Sequence, residues 1–374
     1  MSEPDFDVVV VGAGPAGANA AYHAAKNGAR VCLLEAAPVI GEPIVCAEGV
    51  VSKVLEDFDL PKQGEHIATK VTRVKMWTPK GKVIDLKLKR LCGYILNRDK
   101  LEKMLVQRAV KAGAVLRLNH KVAGFAITGA AEGAVVVDGK GVITGEIVIA
   151  ADGHESVVAR DAGLTSPLEK KDIGACVQKT MGDVECADDT IEIYWNDKSS
   201  PGGYTWLFPK GKGVANIGLG VIASKGEPIG KNLDEFIERR CPNAKQLRHV
   251  GGLVPLAMPL ERATTAQVIA VGDAARYVFA LTGAGIGAAL MSGKEAGEIA
   301  AGATIGDGFV QTSDYDRHME PLKTKLRRSY QLKEKLITDP MRSERYFALA
   351  RMVVGLHKLA PGPVERRAFS SARY

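Results

Sequence analysis

No apolar run in this chain approaches the ~18 residues that a membrane-spanning helix needs, so no spanning helix is expected. The six cysteines (Cys32, Cys46, Cys92, Cys176, Cys186 and Cys241) are scattered without C-x-x-C spacing. That argues against a zinc site, and no other metal set stands out. It also argues against a disulfide scaffold and fits a reducing, cytoplasmic setting. The first residues, MSEPDFD, are acidic and pass straight into an apolar run, so no signal peptide is expected. Internal repeats and low-complexity stretches are missing. Aromatic residues make up 6% of the chain and do not interleave with basic ones, which leaves no nucleic-acid signature. What remains is an ordinary globular composition, 46% hydrophobic and 25% charged over 374 residues, enough for two or more domains.

The stretch that organises the rest is Asp7–Gly17, DVVVVGAGPAG. An apolar strand breaks at Gly12, and Gly14 and Gly17 complete the spacing G-x-G-x-x-G before an Ala-rich helix. Gly12 permits the tight turn, Gly14 lets backbone approach a pyrophosphate, and Gly17 lets the helix pack closely on the strand. The helix N-terminus presents free N–H groups to the phosphates. Glu35 ends the next apolar segment, about 20 residues on, where a carboxylate accepts from ribose hydroxyls.

Residues 36–49, AAPVIGEPIVCAEG, hold too much Pro and Gly for a regular element and read as an ordered loop. A short helix follows at 50–58. Residues 71–88 read as a hairpin about Thr78-Pro79-Lys80-Gly81 that has left the nucleotide domain. Residues 97–112 read as a helix, with Leu101, Leu105 and Ala109 on one face. A strand of 146–152 ends in Asp152-Gly153. Residues 173–260 are mostly β, with one helix at 232–239 and the aromatics Tyr194, Trp195, Tyr204, Trp206 and Phe208. VIAVGD at 268–273 then returns to the first domain, and a glycine-rich segment with Gly283, Gly285 and Gly287 opens a helix. Residues 311–360 read as helical and basic, broken at Pro321 and Pro340.

The net charge is +7. Residues 311–374 hold fourteen Lys and Arg against seven Asp and Glu, so the tail carries the whole excess. Such a tail either attracts phosphates and anionic membrane surfaces or is simply a solvated helical face. Lys323, Lys325, Arg327 and Arg328 cluster within it.

Three separated segments converge: the fingerprint with Glu35, the strand ending Ala151-Asp152-Gly153, and Val271-Gly272-Asp273-Ala274-Ala275. Acids at such strand ends can accept from a dinucleotide's hydroxyls. The pattern resembles the FAD-binding domain of glutathione-reductase-like and p-hydroxybenzoate-hydroxylase-like flavoproteins. Two rarer motifs narrow the resemblance. Pro43-Ile44-Val45-Cys46-Ala47-Glu48-Gly49 is similar to the P-x-x-C-x-E-G signature of the geranylgeranyl reductases. Tyr204-Thr205-Trp206-Leu207-Phe208-Pro209-Lys210-Gly211 is similar to their Y-x-W-x-F-P-x-G motif. The resemblance covers about residues 5–300 and is closest to the archaeal digeranylgeranylglycerophospholipid reductases.

The resemblance implies an α/β fold. A Rossmann-like FAD-binding domain (1–70, 93–165 and 261–310) would carry an inserted antiparallel β substrate domain (71–92 and 166–260) and a basic helical segment (311–374). Asp273 would bind the ribitol, Gly285 and Ile286 would lie near the flavin pyrimidine, and Arg98 would reach the pyrophosphate. Ala16, Ala36, Cys46, Ala47, Gly49 and Val122 complete the implied cofactor set beside Gly12, Gly14, Gly17 and Glu35. Cys46, Glu48, Tyr204 and Trp206 are the implied catalytic residues, with Phe208 and Pro209 on the substrate. The implied activity is FAD-dependent saturation of geranylgeranyl chains in ether phospholipids, at the inner face of the membrane, with peripheral contact through the basic tail. No second nucleotide fingerprint exists, so the electron donor is weakly bound NAD(P)H or a ferredoxin-like protein.

The residues themselves suit such chemistry. Saturating an unactivated alkene needs a hydride and a proton, and reduced flavin supplies the hydride. Aromatic side chains such as Tyr204, Trp206 and Phe208 make an apolar wall, although ordinary sheet core is the alternative. A free cysteine is most often a small buried hydrophobe, but in a loop facing a flavin Cys46 becomes a proton donor or redox partner. Glu48 either orients that thiol or is an unrelated surface acid. Competing functions on the same fold are an aromatic or squalene-type monooxygenase using NAD(P)H and dioxygen, a reductase of geranylgeranyl diphosphate or a chlorophyll precursor, and a non-catalytic lipid-carrying flavoprotein.

Overall fold

The computed structural model describes residues 4–87, 92–128, 132–195, 198–305 and 310–337. Within them the chain forms two compact units. The first is drawn from Met1–Glu42, Arg98–Leu168 and Pro255–Arg328, the second from Pro43–Asn97, Glu169–Val254 and Ser329–Tyr374.

The first unit is α/β. Strand β1 (Phe6–Val11) pairs in parallel with β2 (Val31–Leu34) and with β11 (Gly141–Ala150). β8 (Val115–Arg117) extends the sheet beyond β2, and β17 (Val268–Ala270) pairs in parallel with β11. β9 (Val122–Thr128) and β10 (Glu132–Val137) add an antiparallel meander. The residues of β2 and β17 are all buried, and β1 is buried from Asp7 on. Continuous apolar strands of this kind belong inside a parallel sheet covered on both faces. Helix α1 (Pro15–Lys26) starts with Pro15 in its first turn, where a missing N–H costs nothing. Helices α3 (Arg98–Lys111), α4 (Val157–Asp161) and α6 (Ile286–Ile305) also belong to the unit. α6 lies directly against α1 because Gly293 and Gly297 carry no side chain; a Cβ on Gly293 would stand 2.2 Å from the Ala16 carbonyl oxygen.

The second unit is mostly β. A seven-stranded sheet runs in the order β16 (Lys245–Pro255), β12 (Ile173–Gly182), β15 (Val214–Ile222), β14 (Tyr204–Gly211), β13 (Thr190–Trp195), β5 (Arg73–Trp77), β6 (Val83–Lys87). β5 and β6 are the expected hairpin. A three-stranded sheet joins β3 (Gly49–Val51), β7 (Gly93–Leu96) and β4 (Ile67–Val71), with α2 (Ser52–Asp57) after β3. Residues 43–70 and 93–97 were expected with the nucleotide domain. They group with the second unit because β3 and β4 pair with β7, and Thr69 Oγ1 donates to the Pro209 carbonyl on β14 at 2.7 Å.

Strand alternation gives the large sheet two distinct faces. Val177, Met181, Leu207, Ala215, Ile217 and Leu219 pack under Leu233, Phe236 and Ile237 of helix α5 (Ile229–Arg240). The other face carries Cys176, Gln178 and Thr180 of β12, Asn216, Gly218 and Gly220 of β15, and Tyr204, Trp206 and Phe208 of β14 in register.

One tail expectation changes. Helix α7 (Asp314–Ile337) runs through Pro321 without ending. Its buried stripe of Tyr315, Met319, Leu322 and Leu326 holds the helix together across the missing hydrogen bond. Pro340 and the rest of the expected helical tail lie outside the described residues.

Candidate active site

In the first unit the glycines divide by role. A Cβ on Gly17 would sit 1.8 Å from the Gly12 carbonyl oxygen, and one on Gly12, at φ 98°, would sit 2.4 Å from the Ala151 carbonyl oxygen. Both are required by the fold. A Cβ on Gly14 would meet nothing within 4 Å. Gly14 therefore leaves open space at the N-terminus of α1, which has no side-chain cap for its free N–H groups. Glu35 Oε2 accepts from Ala13 N–H and Oε1 from Ala37 N–H, both at 2.8 Å. Each oxygen keeps a second acceptor position for a hydroxyl.

The acids at the other strand ends separate. Asp152 is spent on its own chain: Oδ2 accepts from Val157 N–H (2.8 Å) and Val158 N–H (3.2 Å), and Oδ1 from Ser156, at the start of α4. The Asp273 carboxylate accepts no hydrogen bond among the described residues. Burial holds its carboxyl above the usual carboxylate range, against the opposing charges of Arg98 and His154. Nε2 of His154 is itself buried without a partner among the described residues. Gly285, at the head of α6, places its missing Cβ 3.6 Å from Asp273 Oδ1, and Ile286 follows. Arg98 donates to Glu102 one turn on, at 2.8 Å. Ala16 is buried in α1, Val122 is buried at the start of β9, and Ala36 is exposed. An open glycine turn, an uncapped helix start, an acid with spare lone pairs, an unpartnered carboxylate and an orphaned imidazole nitrogen together fit a bound dinucleotide.

In the second unit Cys46, Ala47, Glu48 and Gly49 run into β3. Glu48 is buried and adopts a left-handed backbone, φ 71°. It is no surface acid. Its Oε2 accepts from Lys210 Nζ and Asn216 Nδ2, each at 2.6 Å. Its N–H donates to Cys46 Sγ at 3.2 Å. Asn216 Oδ1 in turn accepts from Thr180 Oγ1 (2.8 Å), and Lys210 also donates to the Leu96 carbonyl. A second chain ties the loop to the aromatic strand: Trp206 Nε1 donates to Gln178 Oε1, and Gln178 Nε2 to the Cys46 carbonyl, both at 3.0 Å.

Trp206 is buried, and Tyr204 stacks on Trp195 with centroids 5.8 Å apart. Trp206 lies over Gly218, where a Cβ would approach its Cζ2 to 2.4 Å. Burial, with the neighbouring Cys176 and Cys46 thiols, pushes the Tyr204 hydroxyl far above its ordinary range, so it stays protonated. Burial likewise pushes the Cys176 thiol up to about 12. Phe208 sits over Gly49, its Cε2 3.0 Å from where a Cβ would be, and Pro209 is buried on β14.

The structure thus brings Cys46, Glu48, Tyr204, Trp206 and Phe208 together on one face of the second unit. It places Cys46, Ala47 and Gly49 in that unit, while Gly12, Gly14, Gly17, Glu35, Arg98, Asp273, Gly285 and Ile286 lie in the first. Gln178, Lys210, Asn216, Cys176 and His154 were not picked out by sequence. Period-two alternation on β12 and β15, with glycines at 218 and 220 beneath an aromatic strand, is the signal that points to Cys176, Gln178 and Asn216.

The basic cluster is also revised. Lys323 is 1% exposed, paired with Asp316 and donating to the Glu261 carbonyl at 2.8 Å, so it is a buried ion pair and not a surface charge. Arg327 pairs with Glu320. Among the described residues no group of side chains could hold a metal, and no helix is long and apolar enough to cross a membrane.

Fold and site define a flavoprotein-type oxidoreductase architecture, and comparison with known proteins narrows it. The model of the geranylgeranyl reductase catalytic domain matches residues 172–254, and that of lycopene cyclase residues 7–189. The digeranylgeranylglycerophospholipid reductase of Methanothermobacter thermautotrophicus numbered 2 is 38% identical over 94% of this chain and 92% of its own. Its namesake from Methanopyrus kandleri is 38% identical over 92% and 90%. The crystal structure of a geranylgeranyl bacteriochlorophyll reductase-like protein from Thermoplasma acidophilum superposes with a TM-score of 0.85, at 31% identity over 91% of this chain and 90% of that one. A triple mutant of the flavin-dependent brominase Bmp2 shares the fold alone, at 17% identity and a TM-score of 0.71 over 95% and 92% of the two chains. The chain belongs to the digeranylgeranylglycerophospholipid reductase family of geranylgeranyl reductases.

Proposed function

We propose that this protein is an FAD-dependent reductase that saturates C=C bonds in the geranylgeranyl chains of archaeal ether phospholipids. The observation that carries the reading is the thiol–aromatic face of the second unit, in a chain whose full-length relatives bear that enzyme's name. FAD would be held by Gly12, Gly14, Gly17 and Glu35 at the adenosine and pyrophosphate end, with Asp273, Gly285 and Ile286 toward the ribitol and ring. When bound and reduced, it supplies the hydride to one alkene carbon.

The second carbon needs a proton. The Cys46 thiol, fastened through its own carbonyl to Gln178 and receiving the Glu48 N–H, is the group assigned to hold it. The Tyr204 O–H, kept protonated by burial, is placed on the same face to orient or relay it. Tyr204, Trp206 and Phe208 offer the isoprenoid apolar surface and exclude water. The lipid phosphate and the anionic leaflet call for basic residues. Lys323 is excluded by its burial, which leaves Lys325, Arg328 and the basic residues beyond 337 for peripheral contact at the inner membrane face. Electrons reach the flavin from NAD(P)H or a ferredoxin-like protein.

Anaerobic incubation of the reduced enzyme with geranylgeranylated ether lipid, followed by mass spectrometry, tests this. Hydrogens added in pairs by the wild type, and lost in both Cys46→Ala and Tyr204→Phe, support the reading. Unchanged reduction in both variants refutes the catalytic assignments. Unaltered lipid together with NADPH-coupled oxygen uptake points to monooxygenation instead.

A further inference from the structure

Glu48 combines a long side chain with a left-handed backbone, φ 71°, a region that residues other than glycine and asparagine enter infrequently. Something must hold it there, and three strands do. Leu96 N–H on β7 donates to the Glu48 carbonyl at 2.8 Å. Lys210 on β14 and Asn216 on β15 both donate to Oε2 at 2.6 Å. Lys210 also grips the Leu96 carbonyl, so one ammonium fixes both the acid's side chain and the strand that fixes its backbone. Thr180 orients the Asn216 amide by donating to its Oδ1 at 2.8 Å, which turns Nδ2 toward the acid. The Glu48 N–H, in the peptide that joins Ala47 to Glu48, donates to Cys46 Sγ two residues back, 3.2 Å away.

We propose that Lys210 and Asn216 are positioning residues for the Cys46 thiol: by holding the Glu48 carboxylate they fix in place the residue whose backbone N–H donates to Sγ. A donor on sulfur stabilises the thiolate that is left when the thiol gives up its proton. The titratable groups around the thiol are Glu48 and Lys210 from this clamp, Cys176 on β12 and Tyr204 on β14; the last two stay protonated through neutral pH. The inference deepens the reading of Cys46 as an active-site thiol and rests on that reading only for its catalytic meaning. Its test reads the thiol directly, so it fails or succeeds apart from lipid reduction.

The experiment is the pH profile of iodoacetamide alkylation of Cys46 in the flavin-loaded full chain, followed by peptide mass mapping, with Cys92 as internal control. Lys210→Met and Asn216→Ala should each slow Cys46 alkylation about tenfold below the midpoint, an upward shift of about one pH unit. Lys210→Arg should restore most of the rate. Asn216→Ala separates position from charge, because it removes no charge, and it leaves the acid paired with Lys210 should Lys210→Met fail to fold. A wild-type profile in Asn216→Ala would overturn the proposal.

Discussion

Gly218→Ala probes the packing on which the thiol–aromatic face depends. Gly218 lies on β15 between Gln178 and Trp206, and a Cβ there would come within 2.4 Å of Trp206 Cζ2 and 2.7 Å of the Val177 carbonyl oxygen. Neither neighbour can yield cheaply: one is a buried indole, the other strand backbone. Overpacking of this kind costs about 1–3 kcal/mol. If the indole swings away, Nε1 loses Gln178, and a buried N–H left unpaired costs about 1–3 kcal/mol more. The variant should therefore lose about 2–6 kcal/mol of stability, the sum of those two ranges. Gln178 would also be freed from its place under the Cys46 carbonyl, so alkene reduction should fall. The assay is denaturant unfolding followed by tryptophan fluorescence, run as a double-mutant cycle with Trp206→Phe. Phenylalanine lacks the carbons nearest the new methyl, so Gly218→Ala should cost less in that background, with a coupling of about 0.5–3 kcal/mol. A Gly218→Ala protein with wild-type stability and fluorescence, or strictly additive costs, would refute the reasoning.

Gly14→Ala should leave the stability of the flavin-free protein unchanged and lower flavin retention, because its Cβ meets only the open space at the helix start; Gly17→Ala should fail to fold, its Cβ lying 1.8 Å from a carbonyl oxygen. Glu35→Ala should release flavin, weakening the dissociation constant read by absorbance at least tenfold, since two backbone N–H groups and the ribose lose a charged acceptor. Asp273→Asn should stabilise the flavin-free protein at pH 7 yet weaken flavin binding. The Asp273 carboxyl is raised by burial, so the fold binds its proton more tightly than the unfolded chain does. The penalty on the wild type is therefore full above the folded value and vanishes below the unfolded one, and the stability gain should disappear as pH falls through that window. Equal stability of the two proteins at every pH contradicts this.

Legibility in the sequence followed sequence distance. The β1–α1–β2 unit with Glu35 could be read because its parts lie within one 35-residue stretch and each glycine has a local reason. The hairpin of β5 and β6, α3 and the strand faces followed from periodicity. The Cys46 loop could be recognised by motif, but its anchors could not: Gln178 is 132 residues away and Asn216 is 168 residues from Glu48, joined only by sheet register. Charge patterning misjudged Lys323, because a lysine in a basic run reads the same whether it is solvated or buried against Asp316. Pro321 misled in the same way, since an intrinsic helix breaker was outweighed by a buried stripe. Asp152 and Asp273 looked equivalent at two strand ends; only the hydrogen bonds of α4 distinguish the cap from the unpartnered acid.

The central claim is that electrons pass from this protein's flavin to an isoprenoid double bond. The direct measurement is the visible flavin absorbance of the pre-reduced, oxygen-free enzyme after mixing with geranylgeranylated ether lipid. The account predicts that the oxidised flavin band returns, that a fully saturated lipid leaves it absent, and that Cys46→Ala slows its return. A flavin that stays reduced in the presence of the unsaturated lipid, yet reoxidises rapidly when air is admitted, would contradict the account.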